Sequence, residues 1–322
     1  MRSLPILLVS ALVAGCGAEP IPPPSTPAPA LASPAQAIPG DLDVALRLDL
    51  RRMREALGPA AVAALERRTP GRAGAEAGNA RLIAQAFKHA DTAWIALRPE
   101  ARAELMDNVI VLEGNFAGLD PQSFPTDPRW GPPVDLGAAW RVYSRARPAK
   151  RAAPARIYVH SESLLVFVST AEIDSAKRAI EKRAGDDHIE PAAKGAMSIA
   201  ARLPPLAGLI AGRSPAAARL LGRGTKLSAD ADLGPQGLDA ELDVDFDTAD
   251  HARSAADAAG LLAKGVAGEG GATAAVARVL HVESVDKSLV VRVKLTREQL
   301  ARLTACARSP EQCGAQGAGE TH

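Results

Sequence analysis

A unit of strand, tight turn, strand and capped helix recurs three times, and it constrains the fold of this chain more than any other feature. In the first copy, 156–160 and 164–168 flank a turn at Ser161-Glu162, and Ser169-Thr170-Ala171-Glu172 opens a helix with capping-box spacing. In the second, 226–233 and 238–246 flank Gly234-Pro235-Gln236-Gly237, and a helix runs from Asp247 to about Lys264. In the third, 277–285 and 289–295 flank Asp286-Lys287, and Thr296-Arg297-Glu298-Gln299 opens a helix ending near Cys306. Turns this short join only antiparallel strands, and hairpins that feed helices imply helices packed on a sheet. The expected class is therefore α+β, with antiparallel sheets and helices on one face.

The N-terminal half carries the same logic. In 43–50, Val44, Leu46, Leu48 and Leu50 alternate with Asp43, Ala45, Arg47 and Asp49, a strand with one apolar face. A helix over 51–68 follows, which Gly58-Pro59 can break. A Gly-rich loop at 69–78, a helix over 79–89 and strands at 92–97 and 108–114 come next. The stretches 44–54 and 290–299 are alike, each an alternating strand running into a helix, so two related lobes are expected, 41–188 and 189–308, with a tail at 309–322. Their boundary falls in 185–194, where Gly185-Asp186-Asp187 and Pro191 interrupt the pattern. Nine of the ten aromatic residues lie between Phe87 and Phe167, so the second lobe must fill its core with Leu, Val and Ala.

Residues 1–15 read as a signal peptide: Arg2 precedes an apolar run from Leu4 to Val13, about half the length of a membrane-spanning helix. The run ends in Val13-Ala14-Gly15-Cys16, which resembles the lipobox of bacterial lipoproteins. That resemblance covers residues 1–16 only, and it implies a diacylated Cys16 as mature N-terminus. Two acyl chains hold a protein stably at a membrane, whereas one is marginal. Gly17 follows the cysteine, not the aspartate associated with inner-membrane retention, so the expected location is the cell envelope, outer membrane before inner. Residues 16–40 form the lipidated cysteine and a Pro-rich tether with almost no charge. At about 3.1 Å per residue in polyproline II, it reaches roughly 70 Å from the membrane. An exported chain can oxidise its two other cysteines, Cys306 and Cys313, and the turn at Ser309-Pro310 between them favours a disulfide.

Several chemistries fail on spacing. A formal net charge of +1 without Lys/Arg clusters leaves no electrostatic footprint for nucleic acid. Glu241, Asp243, Asp245 and Asp247 suggest calcium, but an EF-hand loop from Asp243 would need Gly at 248 and Glu at 254, where Thr248 and Ser254 stand. Period-two spacing puts these carboxylates on the solvent face of a strand, with Arg292 and Lys294 on a nearby strand to offset them. No histidine pair has metalloprotease spacing, no residue set has catalytic spacing and no cofactor motif appears. His251, beside Asp250 in a first helical turn, reads as solvated. Ser214 starts like a nucleophile elbow, but Pro215 removes the N–H such a site needs.

The remaining candidate site is the Pro-rich segment 117–137, which carries Phe124, Asp127, Arg129 and Trp130. Loops this long inside compact domains are often functional, and its prolines lower the entropy cost of ordering a recognition surface. The other reading is a surface loop whose aromatics plug the lobe's edge. Three functions follow in order: a non-enzymatic, lipid-anchored protein that binds another envelope component or serves a structural role; a carrier of an apolar ligand; and a hydrolase.

Overall fold

The computed structural model describes residues 33–58, 77–99, 107–117, 119, 130–146, 154–182, 189–268 and 271–308. After a 3-10 turn at Pro34–Ala37 come β1 (Val44–Asp49), a helix whose described part is 50–58 (α1), α2 (Ala77–His89), β2 (Ala90–Arg98) and β3 (Asp107–Gly114). Next are β4 (Val134–Gly137), β5 (Trp140–Ser144), β6 (Pro154–His160), β7 (Leu164–Ser169) and α3 (Ile173–Lys177), the last flanked by a 3-10 turn and a π turn. The second half holds β8 (Met197–Arg202), α4 (Leu203–Arg213), α5 (Pro215–Leu221), β9 (Gly224–Gly234), β10 (Gly237–Phe246), α6 (Ala249–Ala267), α7 (Gly271–Ala277), β11 (Leu280–Val285), β12 (Ser288–Thr296) and α8 (Arg297–Arg308).

Among the described residues, all twelve strands belong to one antiparallel sheet, ordered β11-β12-β10-β9-β8-β1-β2-β3-β7-β6-β5-β4. The first strand in sequence thus sits in the middle, paired with β2 on one side and β8 on the other. The α+β class holds, and one sheet holds strands from both sides of the expected boundary.

Directly opposed residues of an antiparallel pair point to the same face, so the register tells which side chains share it. One row crosses the sheet as Tyr143, Ile157, Phe167, Ile110, Ile95, Leu46, Ile199, Ala229, Leu242, Val291 and Val282, apolar on every strand from β5 to β11. The next row, on the opposite face, reads Val142, Tyr158, Val166, Val111 and Trp94, then Arg47, Ser198, Asp230, Glu241, Arg292 and His281. It changes from apolar to polar at β1.

That change decides where helices pack. On the first half, α2 covers the uniformly apolar face through Leu82, Ile83, Ala86 and Phe87, against Leu112, Tyr143 and Phe167. The 3-10 turn at 34–37, with Ala176 of α3 and Ile180 beyond it, covers the other face against Trp94, Trp140, Tyr158 and Val166. The expectation of helices on one face is therefore corrected here: two apolar faces each need a cover. In the second half, Leu203 and Leu206 of α4, Leu220 and Leu221 of α5, and Ala252, Ala255 and Ala256 of α6 pack on the apolar face with Val244, Phe246 and Leu289.

The capping boxes divide. At α8 both reciprocal bonds form, Gln299 N–H to Thr296 Oγ1 at 3.2 Å and Thr296 N–H to Gln299 Oε1 at 2.8 Å. At 169–172 neither forms: Ser169 Oγ accepts from Asn108 N–H across the sheet, and Glu172, 1% exposed, accepts from Arg98 Nε at 2.9 Å. The α6 cap is Thr248, whose Oγ1 accepts from His251 N–H, one residue later than the Asp247 start that the sequence suggests. Gly237, at φ +129°, opens β10 where a Cβ would lie 1.9 Å from the Leu295 carbonyl oxygen.

The last residues of the expected tether are core, not tether: Ala35, Ala37 and Ile38 are buried, and the chain after them is clamped to the sheet. Arg98 donates to the Asp41 carbonyl at 2.9 Å and to its carboxylate at 3.0 Å, and Arg202 donates to the carbonyls of Gly40 and Leu42. Burial pushes the Asp41 carboxyl up, but the Ser175 hydroxyl and Arg98 outweigh it and hold the group below its usual range.

Candidate functional site: an apolar trough in the helical layer

Helix α6 carries small residues on two stripes. Ala252, Ala255 and Ala256 let it approach the sheet closely. A neighbouring stripe, Ala259, Leu262, Ala263 and Val266, faces α5, α7 and α8 together with Leu280 of β11. Alanines do not fill the space between four helices, and a trough of ≈ 690 Å³ results. Its walls include Ala216, Ala217 and Leu220 of α5, Thr273, Val276 and Ala277 of α7, and Leu303 of α8. Only Ser214 and Thr273 contribute polar side chains. Ser214 is committed elsewhere, as the α5 cap accepting from Ala217 N–H at 3.2 Å, with Pro215 in the first turn. On α6, Leu261 is 70% exposed and Leu262 49%, an unusual cost to leave in water. Ligand sites commonly measure about 300–1,000 Å³ with mainly apolar walls, so this trough has the size and lining of one.

Beside the trough lies a second cleft of ≈ 520 Å³, which shares Ala216, Leu220 and Leu262 as lining and adds Arg219, Arg223, His251 and Ser254. Here the reading of His251 as solvated is corrected. Its Nδ1 lies 2.5 Å from Asp247 Oδ1 and its Nε2 lies 2.7 Å from Arg223 Nη1. A guanidinium only donates, so Nε2 accepts and Nδ1–H donates to Asp247. The His251 hydrogen bond is the main cause holding the Asp247 carboxyl below its ordinary range, with burial opposing. The i,i+4 spacing of Asp247 and His251 was visible in the sequence; Arg223 arrives from the turn between α5 and β9 and was not.

The acidic strand lies on the exposed face. Arg292 Nε donates to Glu241 at 2.6 Å and its Nη1 pairs with Glu283, and Lys294 pairs with Asp239 at 2.9 Å. Ser288 donates to Asp245 at 2.7 Å. Burial, then the charges of Glu241 and Asp245, raise the Asp243 carboxyl.

Of the residues singled out in the sequence, Cys16, Phe124, Asp127, Arg129 and Cys313 lie outside the described residues, and Cys306 stands on α8. Trp130 is described and is 6% exposed, packed with Tyr143 and Phe116 in the core. It bridges Arg145, whose guanidinium lies 5.9 Å from the ring centre. Trp130 therefore belongs to the core and is not an exposed anchor, because its indole packs with Phe116 and Tyr143.

No family model matches the chain, and no curated protein matches it. Among solved structures, crystal form I of TP0453 is similar at 10% identity over 87% of this chain and 100% of that chain, with a TM-score of 0.49. Crystal form III of TP0453 is similar at 10% identity over 85% of this chain and 98% of that chain, with a TM-score of 0.47. Likeness at this level bears on neither activity nor partner.

Proposed function

We propose that this chain is a lipid-anchored, non-enzymatic protein of the bacterial cell envelope that carries an apolar ligand in the trough between α5, α6, α7 and α8. The observation that carries this reading is the trough's size and nearly unbroken apolar lining. The lipobox ending in Cys16 supports the anchor, Gly17 favours the outer membrane, and the tether supplies reach to a membrane surface. A disulfide between Cys306 and Cys313 would fix the end of α8, which contributes Leu303 to the trough. The two halves divide the work as lobes: 41–188 is the rigid scaffold and 189–308 holds the ligand. Binding of another envelope protein, the first reading of the sequence, leaned on the loop around Trp130, and a buried Trp130 weakens it.

The test is organic extraction of the chain purified without detergent, followed by mass spectrometry. A co-purified apolar molecule, lost when Ala263→Trp fills the trough, is the expected result. A clean extract from protein taken directly from envelopes removes the carrier reading.

A further inference from the structure

We propose that the ligand is a single-chain amphiphile with an anionic head: its acyl chain lies along the trough past Leu220 and Leu262, and its head rests on Arg219 and Arg223. This rests on the carrier reading and narrows it to a ligand class. The trough and the cleft are neighbours that share Ala216, Leu220 and Leu262 as lining, the one apolar at Ala263 and Val266 and the other cationic at Arg219 and Arg223. A ligand that fills both must change character the same way.

The charge at the cationic end is uncompensated among the described residues. Arg219 is exposed and makes no hydrogen bond or ion pair there. Arg223 donates to a neutral acceptor, His251 Nε2, and to no carboxylate. The carboxylates nearby are committed: Asp247 accepts from His251 Nδ1–H and from Thr248 N–H at 3.0 Å, and Asp250 pairs with Arg253 at 3.2 Å. His251 thus acts as a strut, using one nitrogen against Asp247 and the other to hold Arg223 at the cleft's rim. A pre-positioned guanidinium keeps donors for a planar or tetrahedral anion, which it binds in a bidentate manner more strongly than it binds a neutral group. Arg219 on α5 and Arg223 in the turn that follows it both line the cleft.

The experiment uses the full chain with Cys16→Ser, so that no acyl group of its own competes, and measures displacement of a fluorescent fatty acid by palmitate, by a C16 lysophosphatidate and by hexadecan-1-ol. Palmitate or the lysophosphatidate is expected to bind at least about tenfold more tightly than the alcohol. Which of the two is tighter assigns the head as carboxylate or phosphate, and either supports the proposal. The double variant R219Q/R223Q should lose about tenfold in affinity for the anionic probes and keep its affinity for the alcohol. Ala263→Trp, with the smaller insertion Ala259→Leu as a second variant, should weaken all three. Equal binding of alcohol and anions, or full anion affinity in the double variant, overturns the head site while leaving the trough as a carrier. Failure of all three probes to bind overturns both readings.

Discussion

The halves of the sheet share one backbone architecture and differ in what their second face carries. From β5 to β2 both faces are apolar, and each is covered, one by α2 and the other by the segment 34–37 with α3. From β8 to β11 one face is apolar and the other presents Asp230, Glu241, Arg292 and His281 to solvent. Trp94, Trp140, Tyr158, Phe116, Trp130, Tyr143 and Phe167 fill the two cores of the first half. The second half has one core and a single aromatic, Phe246, and its helices carry alanine where bulk would close the gaps. Large rings consume space and leave a rigid scaffold. Small aliphatic residues leave space, and the trough lies where they are.

Three substitutions probe that contrast. The largest effect is expected from Trp140→Ala and Trp130→Ala, one in each core of the first half, at about 3–5 kcal/mol of folding stability by urea denaturation. In the second half, Leu262→Ala should cost under about 0.5 kcal/mol, because its side chain is half in water already. Equal losses would mean that the trough wall is structural core and that the halves do not differ in this way. Such a loss for Trp130→Ala would also reject its loop as a dedicated binding surface.

A smaller effect separates the two capping-box sequences. Thr296→Ala should cost about 1 kcal/mol. Combined with Gln299→Ala, which removes the other bond, the two losses should fall short of additive by about 0.5 kcal/mol or more, because both bonds hold the same first turn and each keeps the other's geometry. Ser169→Ala and Glu172→Gln should instead add, since their partners, Asn108 and Arg98, are different residues. Coupling between Ser169 and Glu172 in a double-mutant cycle would show that a reciprocal cap forms there after all.

The smallest effect lies on the charged face. Burial raises the Asp243 carboxyl in the folded chain, and the charges of Glu241 and Asp245 add to it. A folded-state pKa above the unfolded one means that the protonated acid is the stabilised form. Its contribution is fully present below the ordinary carboxylate range and is lost as pH rises through the folded pKa. At neutral pH the ionised group therefore costs stability, and Asp243→Asn should gain a few tenths of a kcal/mol there, solvent screening keeping it small. Thermal melts should show the gain at about pH 7 and its disappearance near pH 3; a gain at both would place its cause outside ionisation.

Much of the fold was legible because its signals are local. The hairpins at 156–168, 226–246 and 277–295 announce themselves by alternation and turn residues, and all three are present as β6-β7, β9-β10 and β11-β12. What was missed is also instructive. Pro204 and Pro205 look like helix breakers, yet they sit in the first turn of α4, where a missing N–H costs nothing. Strands β4 and β5 hide in a Pro-rich stretch because a turn at Ala138 and Ala139, both with positive φ, lacks the usual glycine or asparagine. The trough was illegible for another reason: no single helix shows it, and His251 and Arg223 meet only across α5 and α6.

By itself, then, the amino-acid sequence determined which residues of each strand share a face, where the hairpins turn, and that the first half has aromatic bulk and the second does not. Alternation and turn chemistry act over a few residues, so they survive without the rest of the chain. Only the tertiary structure decided that β1 joins β8 to make one sheet from two sets of hairpins, pairing Val44 with Ala201. It alone decided that the polar face begins at β1 and that helices short of volume leave an open trough between them. Those outcomes depend on pairings between distant segments and on volumes left unfilled between elements, and neither is written in the local pattern of any one of them.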